Sequence, residues 1–166
     1  MNLIVAVSKN WGIGKSNNLL FNLPSDLQYF KEKTNGKIVC MGYNTLLSLP
    51  KSSPLKNRVN IVLAPNDVER DDCIVVHDLN ALSKVLCAYN SDDVFVIGGG
   101  MFYKTMLPYC DKAYVTEVDS TVDAEIFFED LSKLPNWSRK VISEDKTENG
   151  LTFRFTLYTN ALPLKF

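Results

Sequence analysis

Val96-Ile97-Gly98-Gly99-Gly100-Met101-Phe102-Tyr103 sets the plan of this chain. An apolar run that reads as a buried strand passes into three glycines and then into a helix. Glycine lets a backbone approach a ligand closely and adopt dihedrals closed to other residues. A helix start offers free N–H groups to an anion, and a pyrophosphate suits such a turn. A tight turn with no ligand suits it too. The run is not G-x-G-x-x-G, and no acid stands at the offset where a ribose would be held.

Outward from this unit, the strand-then-helix alternation repeats. Apolar, β-branched runs predict strands at Leu3–Val7, Lys37–Met41, Val59–Leu63, Cys73–His77, Val94–Ile97 and Lys112–Val118. The early ones are nearly continuous in apolar residues, as when helices cover both faces of a parallel sheet. Helical spacing predicts Ser25–Thr34, Asn44–Leu49, Asp78–Tyr89 and Met101–Leu107, with Asp78 as an N-cap. The chain end changes character: Trp137–Glu144 and Leu151–Thr159 alternate and flank Glu148-Asn149-Gly150, a hairpin signal. The class is therefore α/β, with a mixed sheet that ends in an antiparallel C-terminal hairpin.

At 166 residues, 46% hydrophobic and 22% charged, the chain has the length and mix for a sizeable core in one domain, residues 1–166. A net charge of −1 with dispersed basic residues argues against nucleic acid or an anionic membrane as partner. No apolar run reaches the roughly 20 residues of a membrane span, and no leader segment is expected. Cys40, Cys73, Cys87 and Cys110 lack metal-ligand spacing, and His77 is the one histidine. No metal is expected, and reduced thiols in a cytoplasmic protein fit this usage.

Asp26 falls in the first turn of the Ser25–Thr34 helix, next to Leu27 and Phe30. A carboxylate among apolar residues is costly to bury unpaired. It would suit a flat ligand that presents two adjacent N–H donors. It could also serve only the helix dipole. The Asn10–Leu23 segment is long for a connection and rich in apolar residues (Trp11, Ile13, Leu19, Leu20, Phe21), which reads as a covering lid. Arg58, before Val59–Leu63, could fork onto a carboxylate. His77 has no assigned role, and Glu117 and Asp119 read as the solvent face of a late strand. An acid, an anion turn, a lid and an arginine, without nucleophile or metal, suit chemistry carried by a bound cofactor.

Gly12-Ile13-Gly14, Asn22-Leu23-Pro24-Ser25-Asp26-Leu27, Phe30-Lys31 and Thr34, Met41-Gly42 and Thr45, Arg58, Ile61-Val62-Leu63, the Gly98–Gly100 run with Tyr103, Tyr114-Val115-Thr116 and Phe127-Phe128 follow one another in that order. Together they resemble dihydrofolate reductase, from Leu3 to about Tyr158. The resemblance implies a three-layer fold with a mixed, mostly parallel eight-stranded sheet flanked by helices. It implies reduction of 7,8-dihydrofolate to tetrahydrofolate by hydride transfer from NADPH, in a cytoplasmic monomer. Asp26 would hold the pterin ring, backed by Thr116 through water. Val5, Leu27, Phe30, Leu49, Leu55 and Ile97 would line the folate slot, and Arg58 would grip the glutamate tail. Ala6, Ile13 and Gly14 would hold the nicotinamide. Gly42, Tyr43, Asn44, Thr45, Leu63 and Ala64 would serve the phosphates and adenosine. Gly98, Gly99, Gly100, Phe102 and Tyr103 would approach the cofactor, with Gly98-Gly99 cis.

The chain departs from the family's pattern at three places. Phe21 replaces a usual tryptophan. Tyr43-Asn44 and Ala64-Pro65 stand where cationic and hydroxyl residues are common, so discrimination against NADH should be weakened, with Arg70 as a substitute cation. Two other readings stay open here: a pyrimidine reductase of riboflavin synthesis, and a non-catalytic folate- or nucleotide-binding protein of the same fold.

Overall fold

The glycine unit folds as a strand, a turn and a helix. β7 (Val94–Val96) ends before a cis Gly98-Gly99 peptide, and α4 (Gly100–Met106) follows. The computed structural model describes residues 1–16 and 18–166; Asn17, inside the expected lid, lies outside the described residues.

β7 pairs in parallel with β1 (Asn2–Val7) and β4 (Ile38–Gly42). Beyond β4 lie β5 (Val59–Leu63) and β6 (Ile74–Val76), also parallel. On the other side β1 pairs in parallel with β8 (Lys112–Val118). The last strand, β12 (Leu151–Asn160), runs antiparallel to β8 and carries both β10 (Trp137–Val141) and β11 (Lys146–Glu148). Among the described residues the path β10-β12-β8-β1-β7-β4-β5-β6 has eight strands, with β11 off it on β12. The sheet is thus mixed and mostly parallel, as expected.

Alternation along the strands sorts the helices. Leu3, Val5, Ile38 and Cys40 face a core that includes Leu82 and Leu86 of α3 (Leu79–Leu86) and Phe102 and Met106 of α4. Ile4, Val39 and Met41 face the opposite core with Leu46 of α2 (Tyr43–Ser48) and Tyr29 and Phe30 of α1 (Pro24–Thr34). Successive strand residues point to opposite faces, so helices on both sides make three layers. Asp78 caps α3 as expected, its carboxylate taking the Ala81 N–H at 2.7 Å.

Three expectations change. The Asn10–Leu23 stretch is not a plain loop: β2 (Gly12–Lys15) and β3 (Asn18–Leu19) join β9 (Ile126–Phe127) in a second small sheet. Glycine permits the close approach; a Cβ on Gly12 would stand 2.6 Å from Ala124 Cβ. The expected strand Trp137–Glu144 stops at Val141, where the Ser143 hydroxyl takes the Phe155 N–H at 2.9 Å in place of a ladder bond. Glu117 and Asp119 do not simply face solvent. Arg139 forks onto Glu117 at 2.6 and 2.9 Å, and Arg154 bonds Asp119 at 2.6 and 3.0 Å. The four cysteines are free thiols, and among the described residues no helix is long and apolar enough to cross a membrane.

Candidate active site

α1 starts where Pro24 presets a helical φ, which puts Asp26 in its first turn at the C-terminal ends of the parallel strands. Thr116, buried in β8, donates its hydroxyl directly to Asp26 Oδ1 at 2.6 Å. The resemblance implies that Thr116 backs Asp26 through water; here the hydroxyl reaches the acid directly. Burial pushes the Asp26 carboxyl above its ordinary value, the Thr116 bond pulls it down, and the charge of Glu148 pushes it up again, with a net rise. A small pocket beside Asp26 is lined by Ala6, Ile13, Leu20, Phe21 and Leu27, so residues of the Asn10–Leu23 segment border the acid.

The expected substrate wall is partly assembled. Phe30, Leu49, Leu55 and Ile97 are half-buried against one core cluster. Val5 lies on the opposite core, and Leu27 is exposed. Arg58 Nη1 donates to Thr34 Oγ1 at 3.0 Å and Nε to the Lys56 carbonyl at 2.9 Å. Thr34 in turn donates to the Phe30 carbonyl at 2.8 Å, tying the arginine to α1. Both Arg58 partners are neutral oxygens, so its charge stays available to an anion. Burial pulls its pKa down from the ordinary value without removing that charge. The buried Asn60 amide organises this corner: it accepts the Leu55 N–H at 2.9 Å and donates to the carbonyls of Leu55 at 2.9 Å and Arg58 at 3.1 Å.

The glycines stand beside α2. The Gly42 N–H donates to the Gly98 carbonyl at 2.9 Å. Gly98 has φ 135°, a region few side chains adopt, and a Cβ on Gly98 or Gly99 would sit 3.3 Å from Thr45 Oγ1. A Cβ on Gly100 would meet Ile126 Cγ2 at 2.5 Å. The Tyr103 hydroxyl lies 2.8 and 2.9 Å from the Ile4 and Ile97 carbonyls, which share its one donor hydrogen, and so it joins β1 to the residue after β7. Phe102 is buried behind the turn. The bare backbone beside Thr45 is the cradle a dinucleotide needs, and these residues fit one. On the lid, the Gly14 carbonyl accepts the Glu125 N–H at 2.9 Å and Lys15 pairs with Asp123 at 2.5 Å. Leu63 ends β5 and Ala64 follows it, with His77 Nδ1 3.1 Å from the Ala64 carbonyl. Tyr43, Asn44 and Thr45 form the first turn of α2. A larger groove, lined by Met1, Leu86, Tyr109, Asp111 and Phe166, opens at the opposite end of the strands, away from Asp26 and the Gly98–Gly100 turn.

The dihydrofolate reductase family model matches residues 1–160. The chain belongs to the dihydrofolate reductase family. It is 38% identical to a dihydrofolate reductase of Schistosoma mansoni, over 95% of each chain. It is 36% identical to one of Bacillus subtilis, over 95% of this chain and 93% of that one. A Haemophilus influenzae dihydrofolate reductase is 35% identical over 95% and 96%.

Within this family frame, sequence reasoning misses Asn60, Glu148 and Ile126. Asn60 sits in an apolar strand where nothing marks its amide as a bracket for the Arg58 loop. Glu148 and Ile126 come from distant segments whose approach depends on the fold. Arg70 needs correction: its fork is closed on Asp72, at 2.9 and 2.6 Å, and it donates to the Ser52 carbonyl at 2.8 Å. It is a paired side chain, not an open cation.

Proposed function

We propose that this chain, as a single-domain cytoplasmic monomer, reduces 7,8-dihydrofolate to tetrahydrofolate with NADPH as reductant. Family membership supports the reaction class. The observation that carries the reading is the direct Asp26–Thr116 contact beside a pocket that the Asn10–Leu23 segment borders, with Arg58 held on the same helix.

Asp26 accepts N–H donors from the pterin edge and orients the ring. Its charge raises the basicity of N5, which takes a proton from water as C6 is reduced. Thr116 keeps the carboxylate turned toward the ring. Phe30, Leu27, Leu49 and Leu55 line the slot, with Val5 and Ile97 at the pterin end, and Arg58 forks onto the glutamate tail. Ala6, Ile13, Gly14 and the Gly98–Gly100 turn, with Tyr103, hold the dinucleotide. NADPH, when bound there, supplies the hydride. The lid excludes bulk water from this apolar space.

Toward the adenosine end, Tyr43, Asn44 and Ala64-Pro65 bring no charge, and Arg70 is engaged by Asp72. The preference for NADPH over NADH is therefore narrow, and KM for the two dinucleotides checks it. The function itself is tested by absorbance at 340 nm with dihydrofolate and NADPH. Steady decay supports the reading; a folded chain that gives none overturns it.

A further inference from the structure

The start of α1 lacks a cap of its own. Its N-cap residue, Leu23, has no side chain that can bond the first N–H groups. The cap comes from 123 positions downstream: Glu148 Oε1 accepts the Ser25 N–H at 3.0 Å, and its Oε2 accepts the Ser25 hydroxyl. Its neighbour Asn149 donates to the Asn22 carbonyl at 3.0 Å, so the turn between β11 and β12 grips both sides of Pro24. That turn is rigid by construction, since Asn149 and Gly150 both take positive φ, 51° and 74°. Asp26 is the next residue after Ser25.

We propose that Glu148 is a positioning residue of the active site: by holding Ser25 through both carboxylate oxygens, it fixes the first turn of α1 and with it the place of Asp26. The inference rests on the function proposed above. A second consequence follows from charge. Asp26 is faced by Thr116 from β8, Tyr103 from α4, Tyr29 on its own helix and Glu148 from β11. Glu148 itself is held below its ordinary value by Ser25, with Lys146 nearby, so it is ionised near neutral pH. It is the one of these partners that carries negative charge there, and it strengthens proton binding at Asp26.

Two substitutions separate the roles. Glu148→Gln keeps an acceptor for Ser25 and removes the charge. Glu148→Ala removes both. The readouts are the Asp26 titration by NMR of 13C-labelled aspartate, and kcat and KM for dihydrofolate, with thermal melting to show that each variant is folded. In Glu148→Gln, which keeps one acceptor oxygen, the Asp26 midpoint should fall by roughly a few tenths of a pH unit, and kcat/KM should fall less than in Glu148→Ala. In Glu148→Ala kcat/KM should fall roughly three- to tenfold, the scale of a lost helix cap. Ser25→Ala, which keeps the backbone bond, should fall between. An unmoved Asp26 midpoint in Glu148→Gln, or unchanged kcat/KM in a folded Glu148→Ala, overturns the proposal. Should the wild-type chain show no turnover, the functional reading fails by itself, and the NMR midpoint still decides whether Glu148 governs Asp26.

Discussion

The Thr116 hydroxyl and Asp26 Oδ1 stand 2.6 Å apart, a contact between β8 and α1 that spans 90 positions of sequence. The hydroxyl is fixed by the sheet register, where Thr116 pairs with Ala6 on one side and Phe155 on the other. It donates to the ionised acid and so offsets part of the cost of burying it. Thr116→Val keeps the shape and removes the donor. The Asp26 midpoint, followed by NMR, should rise, and dihydrofolate reduction should slow by about tenfold, the worth of one hydrogen bond to a charged group. A fall in the midpoint would contradict the assigned role.

The raised Asp26 pKa also predicts a cost in stability. The folded chain binds this proton more tightly than the unfolded one, whose carboxyl titrates near the ordinary 3.8. The group's stability contribution is therefore full below that value and is lost as pH rises through the folded one. At pH 7 the buried charge destabilises the fold. Asp26→Asn should raise the melting temperature at pH 7 by roughly 2–6 °C, and the advantage should vanish near pH 3. Melting curves at both pH values check the sign; a lower temperature at pH 7 contradicts it.

Arg58 is fixed by Thr34 and by the Asn60 bracket, with its charge unpaired by any carboxylate among the described residues. Arg58→Leu should raise KM for dihydrofolate by about 10²-fold while kcat changes little, since a tail contact holds ground and transition states alike. A pterin substrate without the glutamate tail should show no such loss. Equal effects on both substrates would remove Arg58 from the tail site.

Gly100 and Ile126 predict a coupled pair. Gly100→Ala places a methyl against Ile126 Cγ2 and should cost about 1–3 kcal/mol in stability. It should weaken NADPH binding as well. Ile126→Ala should recover part of the stability in the double variant, by denaturant titration. Strict additivity would show that the two do not meet.

Much of the fold was legible because its signals are local. The glycine turn, the Asp78 cap, the Asn149-Gly150 turn and the continuous apolar strands each announce themselves within about ten residues. The small lid sheet was not legible: β3 and β9 are two residues each, too short for periodicity, and the close approach of Ala124 to Gly12 beside them depends on the fold. At the site, the chain order of the motifs placed Asp26, Arg58 and the glycines. The groups that hold them were hidden, since Asn60 reads as a flaw in an apolar strand and Glu148 as a turn residue. Arg70 misled for the opposite reason: its partner Asp72 is two residues away, yet a charge seen in sequence does not show whether it is already engaged.

The central claim is that the Asp26 carboxylate enables reduction of the pterin, and the hydride-transfer rate of Asp26→Asn measures it most directly. In single-turnover experiments with NADPH and dihydrofolate at pH 7, the wild-type chain should oxidise the dinucleotide rapidly. The folded variant should be slower by about 10²–10³-fold, with the gap closing as pH falls and N5 is protonated from solvent. A variant that transfers hydride at the wild-type rate at pH 7 would contradict the account.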